Sequence, residues 1–139
     1  MNVNGTLPVP RPSKETQPFW EAARERRLVM PRCDECGRYT FPPSLACPYC
    51  GRGELRWVEV SGRGRVFSYV VFHRVYHPAF RDRVPYVVAV IALDEGPRLL
   101  SNVVGVPAER VECEMRVRAV FDDVRDGMVI PQFTPEEAT

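Results

Sequence analysis

Four cysteines form the arrangement whose residue types and spacing specify chemistry most sharply. Cys33-Asp34-Glu35-Cys36-Gly37 and Cys47-Pro48-Tyr49-Cys50-Gly51 are two Cys-x-x-Cys-Gly hooks, separated by residues 37–46. Each hook can turn both sulfurs toward one ion, and glycine after the second cysteine accepts a positive φ without a Cβ penalty. Four thiolates close a tetrahedral shell around Zn2+ and leave no position for water or substrate, which is the structural kind of zinc site. Iron fills the same four-sulfur shell. Two disulfides compete with this reading, but no secretion signal precedes the hooks, and cytosolic thiols stay reduced. A redox Cys-x-x-Cys needs one hook, not a matched pair. The reading is a structural metal, zinc first, in a zinc ribbon. The gap between the hooks has room for two short strands and a turn.

A second cluster is looser. Between residues 74 and 86, Arg74, Arg81 and Arg83 alternate with Tyr76, Phe80 and Tyr86. Guanidinium groups hold phosphate oxygens and aromatic faces stack on bases, so this loop suits either a nucleotide-bearing ligand or a protein partner. A solvated hairpin loop balanced by Asp82 is the plain alternative. Three further features suggest no reaction. His73 falls in a strand pattern on one barrel face and His77 in a more exposed loop, with no paired nucleophile or orienting carboxylate in view. Cys113 sits between Glu112 and Glu114, whose charges oppose a thiolate, and reads as a spare thiol. Gly62-x-Gly64 lacks the Gly-Lys-Ser/Thr of a phosphate loop and reads as a bend or bulge entering a sheet.

The elements that must position these groups follow from periodicity. Pro8, Pro10 and Pro12 make residues 1–15 an extended arm. Thr16 suits a cap and Pro18 a first turn. Phe19, Trp20, Ala23 and Leu28 recur at helical spacing, with Arg24, Arg26 and Arg27 near the end, predicting a helix over residues 17–27. Phe19 and Trp20 are expected on the chain's own core, with docking on a partner as the lesser reading. Residues 28–55 form the ribbon, broken by Pro42 and Pro43. Strands are then expected at 66–76, 86–93, 99–104, 115–124 and 129–133, the last two joined by an Asp126-Gly127 turn. The run from Tyr86 to Leu93 is nearly all apolar and predicts burial on both faces. Five antiparallel strands in about 80 residues suit a partly closed barrel of the OB type. The fold class is thus mostly β: an N-terminal arm and helix (1–30), a ribbon (31–55) and an OB-type domain (56–139).

Composition excludes several classes. The chain has 139 residues, 45% of them hydrophobic, enough for a packed globule. No apolar run approaches the ~20 residues that span a bilayer. Met1-Asn2-Val3-Asn4-Gly5 does not begin a signal peptide, and the expected location is cytoplasmic. Nineteen basic residues against 18 acidic ones give a net charge of +1, so the basic excess of a nucleic-acid binder is missing. Lys14 is the sole lysine; codon bias explains this more simply than a need for arginine.

Taken together, Phe19-Trp20, Arg32-Cys33-x-x-Cys36-Gly37, Pro42-Pro43, Cys47-Pro48-x-Cys50, Trp57, Ser61-Gly62-x-Gly64-x-Val66, Pro85-Tyr86-Val87-Val88-Ala89 and Phe133-x-Pro135 resemble the DUF35 family. The resemblance covers residues 17–135. It implies a rubredoxin-like zinc ribbon joined to an OB-fold, in a small accessory subunit of acyl-CoA metabolism. Family members pair with thiolase-like enzymes, including steroid side-chain aldolase and hydratase systems. The partner supplies the catalytic residues, and the DUF35 subunit helps form the site for the CoA thioester. The segment Gly105–Glu114 is shorter than the family pattern. The expectation is a non-catalytic, zinc-binding subunit of a hetero-oligomer, with no organic cofactor of its own and no nucleic-acid or membrane partner. Its contacts to acyl-CoA or partner would come from Arg74, Tyr76, Phe80, Arg81, Arg83, Tyr86, Phe19 and Trp20. The alternative is a nucleic-acid-binding zinc-ribbon/OB module.

Overall fold

The computed structural model describes residues 8–125 and 127–136. The first seven residues of the expected arm, and Asp126 of the expected turn, lie outside them.

Helix α1 spans Gln17–Arg24 with Pro18 in its first turn. Thr16 does not cap it: the Thr16 hydroxyl faces back, accepting from the Ser13 amide at 2.9 Å and lying 3.0 Å from the Ser13 hydroxyl. The helix also stops three residues earlier than its periodicity predicts. Arg26 takes a positive φ of 61°, and the chain turns there so that Leu28 enters the core. Arg26 then pairs with Asp123, and Arg27 with Glu25 and Glu59, so these cations tie the turn to β structure instead of finishing a helix.

The ribbon's sheet has two strands, β1 (Val29–Cys33) and β2 (Leu55–Glu59), paired antiparallel from Val29↔Glu59 to Cys33↔Leu55. The strands flank the hooks. The gap between the hooks holds one bridge residue, Tyr39, opposite Arg32, and not the two strands expected there. Pro42 and Pro43 have no N–H to give to a ladder. The division expected at residues 55/56 falls within β2.

Five strands close into a barrel: β3 (Arg63–Phe72), β4 (Tyr86–Leu93), β5 (Arg98–Val103), β6 (Arg116–Arg125) and β7 (Met128–Pro135), in the order β3-β4-β5-β7-β6 with β6 returning to β3. One pairing departs from the antiparallel expectation, since β5 meets β7 parallel at Val103↔Phe133. The cause is the β5–β6 connection, which crosses one barrel end. There a three-residue 3-10 turn, Ala108–Arg110, leads to buried Val111. Strand β3 starts and ends earlier than expected. Gly64 pairs with both Leu93 and Val117, and a Cβ there would sit 2.5 Å from the Ala92 carbonyl. This glycine permits close strand approach; the bulge lies at Phe67, between Val66 and Ser68.

Val66, Ile91, Val117 and Phe133 are fully buried in the barrel, and Phe19, Leu28, Met30 and Val60 extend the same core beneath helix and ribbon. Strand β4 departs from its expected burial on both faces. Val87, Ala89 and Ile91 are buried, whereas Tyr86, Val88 and Val90 are only half-buried. Helix α1 lies on β1 and β7, and no helix or strand of the described residues packs on the outside of β4. Among the described residues, no helix is long and apolar enough to cross a membrane.

Candidate metal centre and aromatic loop

Cys33 ends β1, and the first hook turns immediately after it; the second hook turns just before β2. Gly37 and Gly51 follow the hooks with φ of 76° and 73°, as the glycine after each second cysteine requires. The four sulfurs all lie within 4.8 Å of one another. Cys33 Sγ is 3.6 Å from Cys50 Sγ, and Cys36 Sγ is 3.6 Å from Cys47 Sγ. A tetrahedron with ~2.3 Å metal–sulfur bonds has edges of ~3.8 Å, so the cluster has the size that zinc or iron needs.

Backbone amides point at the sulfurs. Glu35 and Cys36 donate to Cys33 Sγ at 3.3 and 3.4 Å, and Tyr49 donates to Cys47 Sγ at 3.4 Å. A Cβ on Gly53 would stand 2.1 Å from Cys33 Sγ, so the chain has been cleared of side chain where the sulfurs gather. The amides of Cys50 and then Tyr49 stabilise the Cys47 thiolate against burial and hold its pKa near 6. Those of Arg52 and Gly53 lower Cys50. At Cys36 the Arg38 amide favours the thiolate, but burial and the neighbouring sulfurs outweigh it and raise the thiol to about 11. The opposed directions at Cys36 and Cys47 come in part from the hydrogen bonds between the sulfurs themselves, which favour the thiolate at Cys47 and the thiol at Cys36. A divalent ion would bind all four as thiolates. Cys113 is exposed and stands outside the cluster.

The second candidate site is the loop between β3 and β4. Rings there pack on one another: Phe72 stacks on Tyr86 at 5.1 Å, Tyr86 on Phe80 at 5.3 Å, and Phe80 meets His77 edge-on at 6.1 Å. Tyr76 stands edge-on to Phe72 at 5.8 Å, with the Arg74 guanidinium 5.6 Å from its ring centre. A cavity of about 280 Å3 opens beside the stack, lined in part by Phe80, Arg83, Tyr86, Asn102, Val106 and Gln132. Asn102 is fixed there, donating to the Val87 carbonyl at 2.8 Å and accepting from Gln132 Nε2 at 3.4 Å.

The structure therefore brings Phe80, Arg83 and Tyr86 to one cavity. It leaves Arg74 and Tyr76 on the outer side of the stack and Arg81 exposed. Phe19 belongs elsewhere: it is 6% exposed and packs against Trp20, Phe41 and Trp57. Half-buried Trp20 borders a separate groove with Pro12, Lys14 and Met128. The histidines reverse their expected exposure. His73 lies beyond the end of β3 and is exposed, whereas His77 is half-buried and its Nδ1 accepts from the Ala79 amide at 3.0 Å. Sequence reasoning missed Phe72, Asn102 and Gln132. Asn102, an amide side chain between Leu100 and Val104 in the strand pattern, was the readable signal.

Residues 20–56 match the family model described as the rubredoxin-like zinc ribbon domain of ChsH2, and residues 57–122 match its C-terminal OB-fold domain. A probable enoyl-CoA hydratase alpha subunit of Thermomonospora curvata is 41% identical over 128 residues, covering 91% of this chain; the chain spans about 40% of that relative's length. A DUF35 domain-containing scaffold protein of Methanocaldococcus jannaschii is 38% identical over 116 residues, 79% of this chain and 82% of that protein. A benzoylsuccinyl-CoA thiolase subunit, BbsA of Thauera aromatica, is 30% identical over 96 residues, 69% of this chain and 64% of its own length. A solved chain of the Ltp2-ChsH2(DUF35) aldolase superposes with a TM-score of 0.82 at 39% identity, covering 91% of this chain and 98% of that one.

Proposed function

We propose, from the premise that this chain belongs to the DUF35 family of ChsH2-type zinc-ribbon and OB-fold proteins, that it is an accessory subunit of a thiolase-superfamily enzyme. In this reading it binds one structural zinc ion through Cys33, Cys36, Cys47 and Cys50. It works in the cytoplasm, covers part of its partner's active-site mouth and contributes to the acyl-CoA site. The partner performs thiolase, aldolase or hydratase chemistry.

The observation that carries the proposal is the cluster of four sulfurs in a chain that superposes on a chain of the Ltp2-ChsH2(DUF35) aldolase. Four protein ligands leave zinc no open position at which to activate water or polarise a carbonyl. The metal's contribution is then to folding: it fixes the ribbon. The names of the relatives, a scaffold protein and subunits of a hydratase and a thiolase, support an assembly role. The cavity bordered by Arg83, Phe80 and Tyr86 supports a contact to the nucleotide or pantetheine end of a CoA thioester, since arginine holds phosphate oxygens and the aromatic rings give an apolar wall.

The test is expression of the chain alone and with a thiolase-superfamily enzyme from the same genome, followed by acyl-CoA cleavage assays. The expected result is a complex active only when both are present, with no turnover by the isolated chain. A charge-assisted phosphate contact is worth ~1.5–3 kcal/mol, so Arg83→Ala should weaken acyl-CoA binding by the complex roughly ten- to a hundredfold. Robust turnover by the isolated chain, or an equally soluble and active partner without it, would sink the proposal.

A further inference from the structure

The outer face of β3, β4 and β5 conflicts with its own sequence. Register places Val70 opposite Val88, and Val90 opposite Leu100, with Phe67 bulging beside them. Leu100 is 71% exposed, Val70 55% and Phe67 40%. These residues and the half-buried Val88 and Val90 make a mainly apolar surface on one side of three adjacent strands, with Ser68 and Asn102 as the polar members of its rows. A strand apolar on both faces is the mark of a strand buried on both faces, and contiguous exposed apolar area on a soluble domain marks an interaction site. No helix or strand of the described residues covers it.

The rim of this face is predominantly basic, with Asp82 and Glu114 its carboxylates beside five arginines. Arg98 lies over the Phe67 ring at 3.8 Å, and Arg65 at 6.0 Å. Arg74, Arg81 and Arg83 stand at the opposite end. Arg65 pairs with Glu114, but no carboxylate of the described residues pairs with Arg74, Arg81, Arg83 or Arg98. From Arg65 to Leu93 the only acidic residue is Asp82. A second copy of this chain laid on the same face would bring arginine against arginine, and like-charge contacts across an interface cost several kcal/mol. The surface instead complements an apolar patch edged with carboxylates.

We infer that the outer face of β3, β4 and β5 is the docking surface for the enzyme subunit this chain serves, and that it receives an apolar patch of that subunit rimmed by Asp and Glu. The inference rests on the accessory-subunit reading and adds to it the place of contact. Apolar contacts at the centre, around Leu100 and Val70, hold the complex, while the arginine rim steers encounter and sets orientation. The ring stack Phe72–Tyr86–Phe80 adjoins this face, so docking there brings the partner's surface to the edge of the Arg83 cavity.

The experiment compares full-length wild type with Val70→Glu/Leu100→Glu and with Arg98→Glu, each co-expressed with the same thiolase-superfamily enzyme. Because Val70 and Leu100 are exposed, the variants should keep one equivalent of metal and the wild-type circular dichroism. If the double variant does not fold, Leu100→Ser alone is measured, and hydrogen exchange of the wild-type complex gives an independent readout. Expected are a more than hundredfold loss of partner affinity for the double variant and about a tenfold slower association for Arg98→Glu. Exchange protection on binding should be confined to residues 67–72, 86–90 and 98–102. Folded variants that bind like wild type, or protection elsewhere, overturn the placement while leaving the accessory-subunit reading intact. Failure of the wild type to bind overturns both. A wild-type dimer dissolved by Leu100→Glu, or binding to phosphatidylglycerol vesicles lost in the same variant, assigns the face to another occupant and overturns the inference.

Discussion

The ribbon and the barrel reach order by different means. The ribbon's sheet is two strands of five residues, and an isolated two-stranded sheet is marginal in water. Its outer part offers little to bury: Cys36, Leu45 and Tyr49 are exposed. What holds its tip is four sulfurs converging on one point. The barrel has no free edge, and its inward rows Val66–Ile91–Leu99 and Val71–Val87–Val103 fill the interior. One region is specified by ligands fixed in sequence, the other by alternation spread over five strands. The two meet in a shared core through Phe19, Leu28 and Met30, so the question is whether they unfold separately.

Removing a ligand tests this most severely. Structural zinc contributes on the order of 10–16 kcal/mol of apparent binding free energy in zinc-finger peptides. Cys47→Ser should therefore lower bound metal from about one equivalent to a small fraction. Amide protection in β1 and β2 should collapse, while that of Ile91 and Val117 persists. If the barrel amides lose protection together with the ribbon's, the two regions are one cooperative unit and the contrast fails. Metal-free Cys47→Ser with undiminished protection in β1 and β2 would show that the sulfurs are not what orders the ribbon.

The complementary substitution attacks the barrel. Phe133 is fully buried and sits at the single parallel contact, opposite Val103. Truncating a buried phenylalanine to alanine typically costs ~3–5 kcal/mol. Phe133→Ala should lower the unfolding free energy by that amount, read as a fall in the urea midpoint equal to the loss divided by the m-value, while the folded protein still carries one metal. Loss of metal in the folded variant would mean that the ribbon depends on barrel packing more than its own ligands suggest.

The same contrast explains what could be read from the chain. The metal site was legible because two hooks and their glycines are local, and the four residues come together without any long-range information. The barrel was legible in number and type of strand, since alternation and β-branched runs report burial. Less local features escaped. The ten-residue gap looked long enough for strands, yet its prolines prevent a ladder and the strands formed outside the hooks. Thr16 looked like a cap, but Ser13 three residues earlier offers its hydroxyl a closer partner. His73 looked like a strand residue because the apolar run continues to Val75, while the chain leaves the sheet at Phe72. The case of β4 differs. Its sequence promised a covered outer face that no helix or strand of the described residues provides, and the docking surface inferred above is read from that mismatch.

The smallest effect expected concerns a bidentate surface ion pair of the barrel. Asp94, in the β4–β5 turn, receives two hydrogen bonds of 2.9 Å from Arg116 at the start of β6. Arg116 also reaches Glu136 at 3.3 Å. Hydrogen bonding from Arg116, ahead of the charge attraction of Arg116 and Arg63, holds the Asp94 carboxyl below its usual range. A carboxyl depressed on folding contributes stability that is complete above its unfolded pKa of ~3.9 and is lost as pH falls through the folded value. Both side chains are more than two-fifths exposed, so solvent screening limits the gain to about 1 kcal/mol or less. Asp94→Asn should thus lower the urea midpoint slightly at pH 7, and the difference from wild type should shrink as pH falls below about 4. The ribbon also weakens in acid, because protons compete with metal for the thiolates, but that loss is common to both proteins and cancels in their difference. A gap between wild type and Asp94→Asn that stays constant from pH 7 to pH 3 would show that the turn is held by its backbone and side-chain shape, with no contribution from the ion pair.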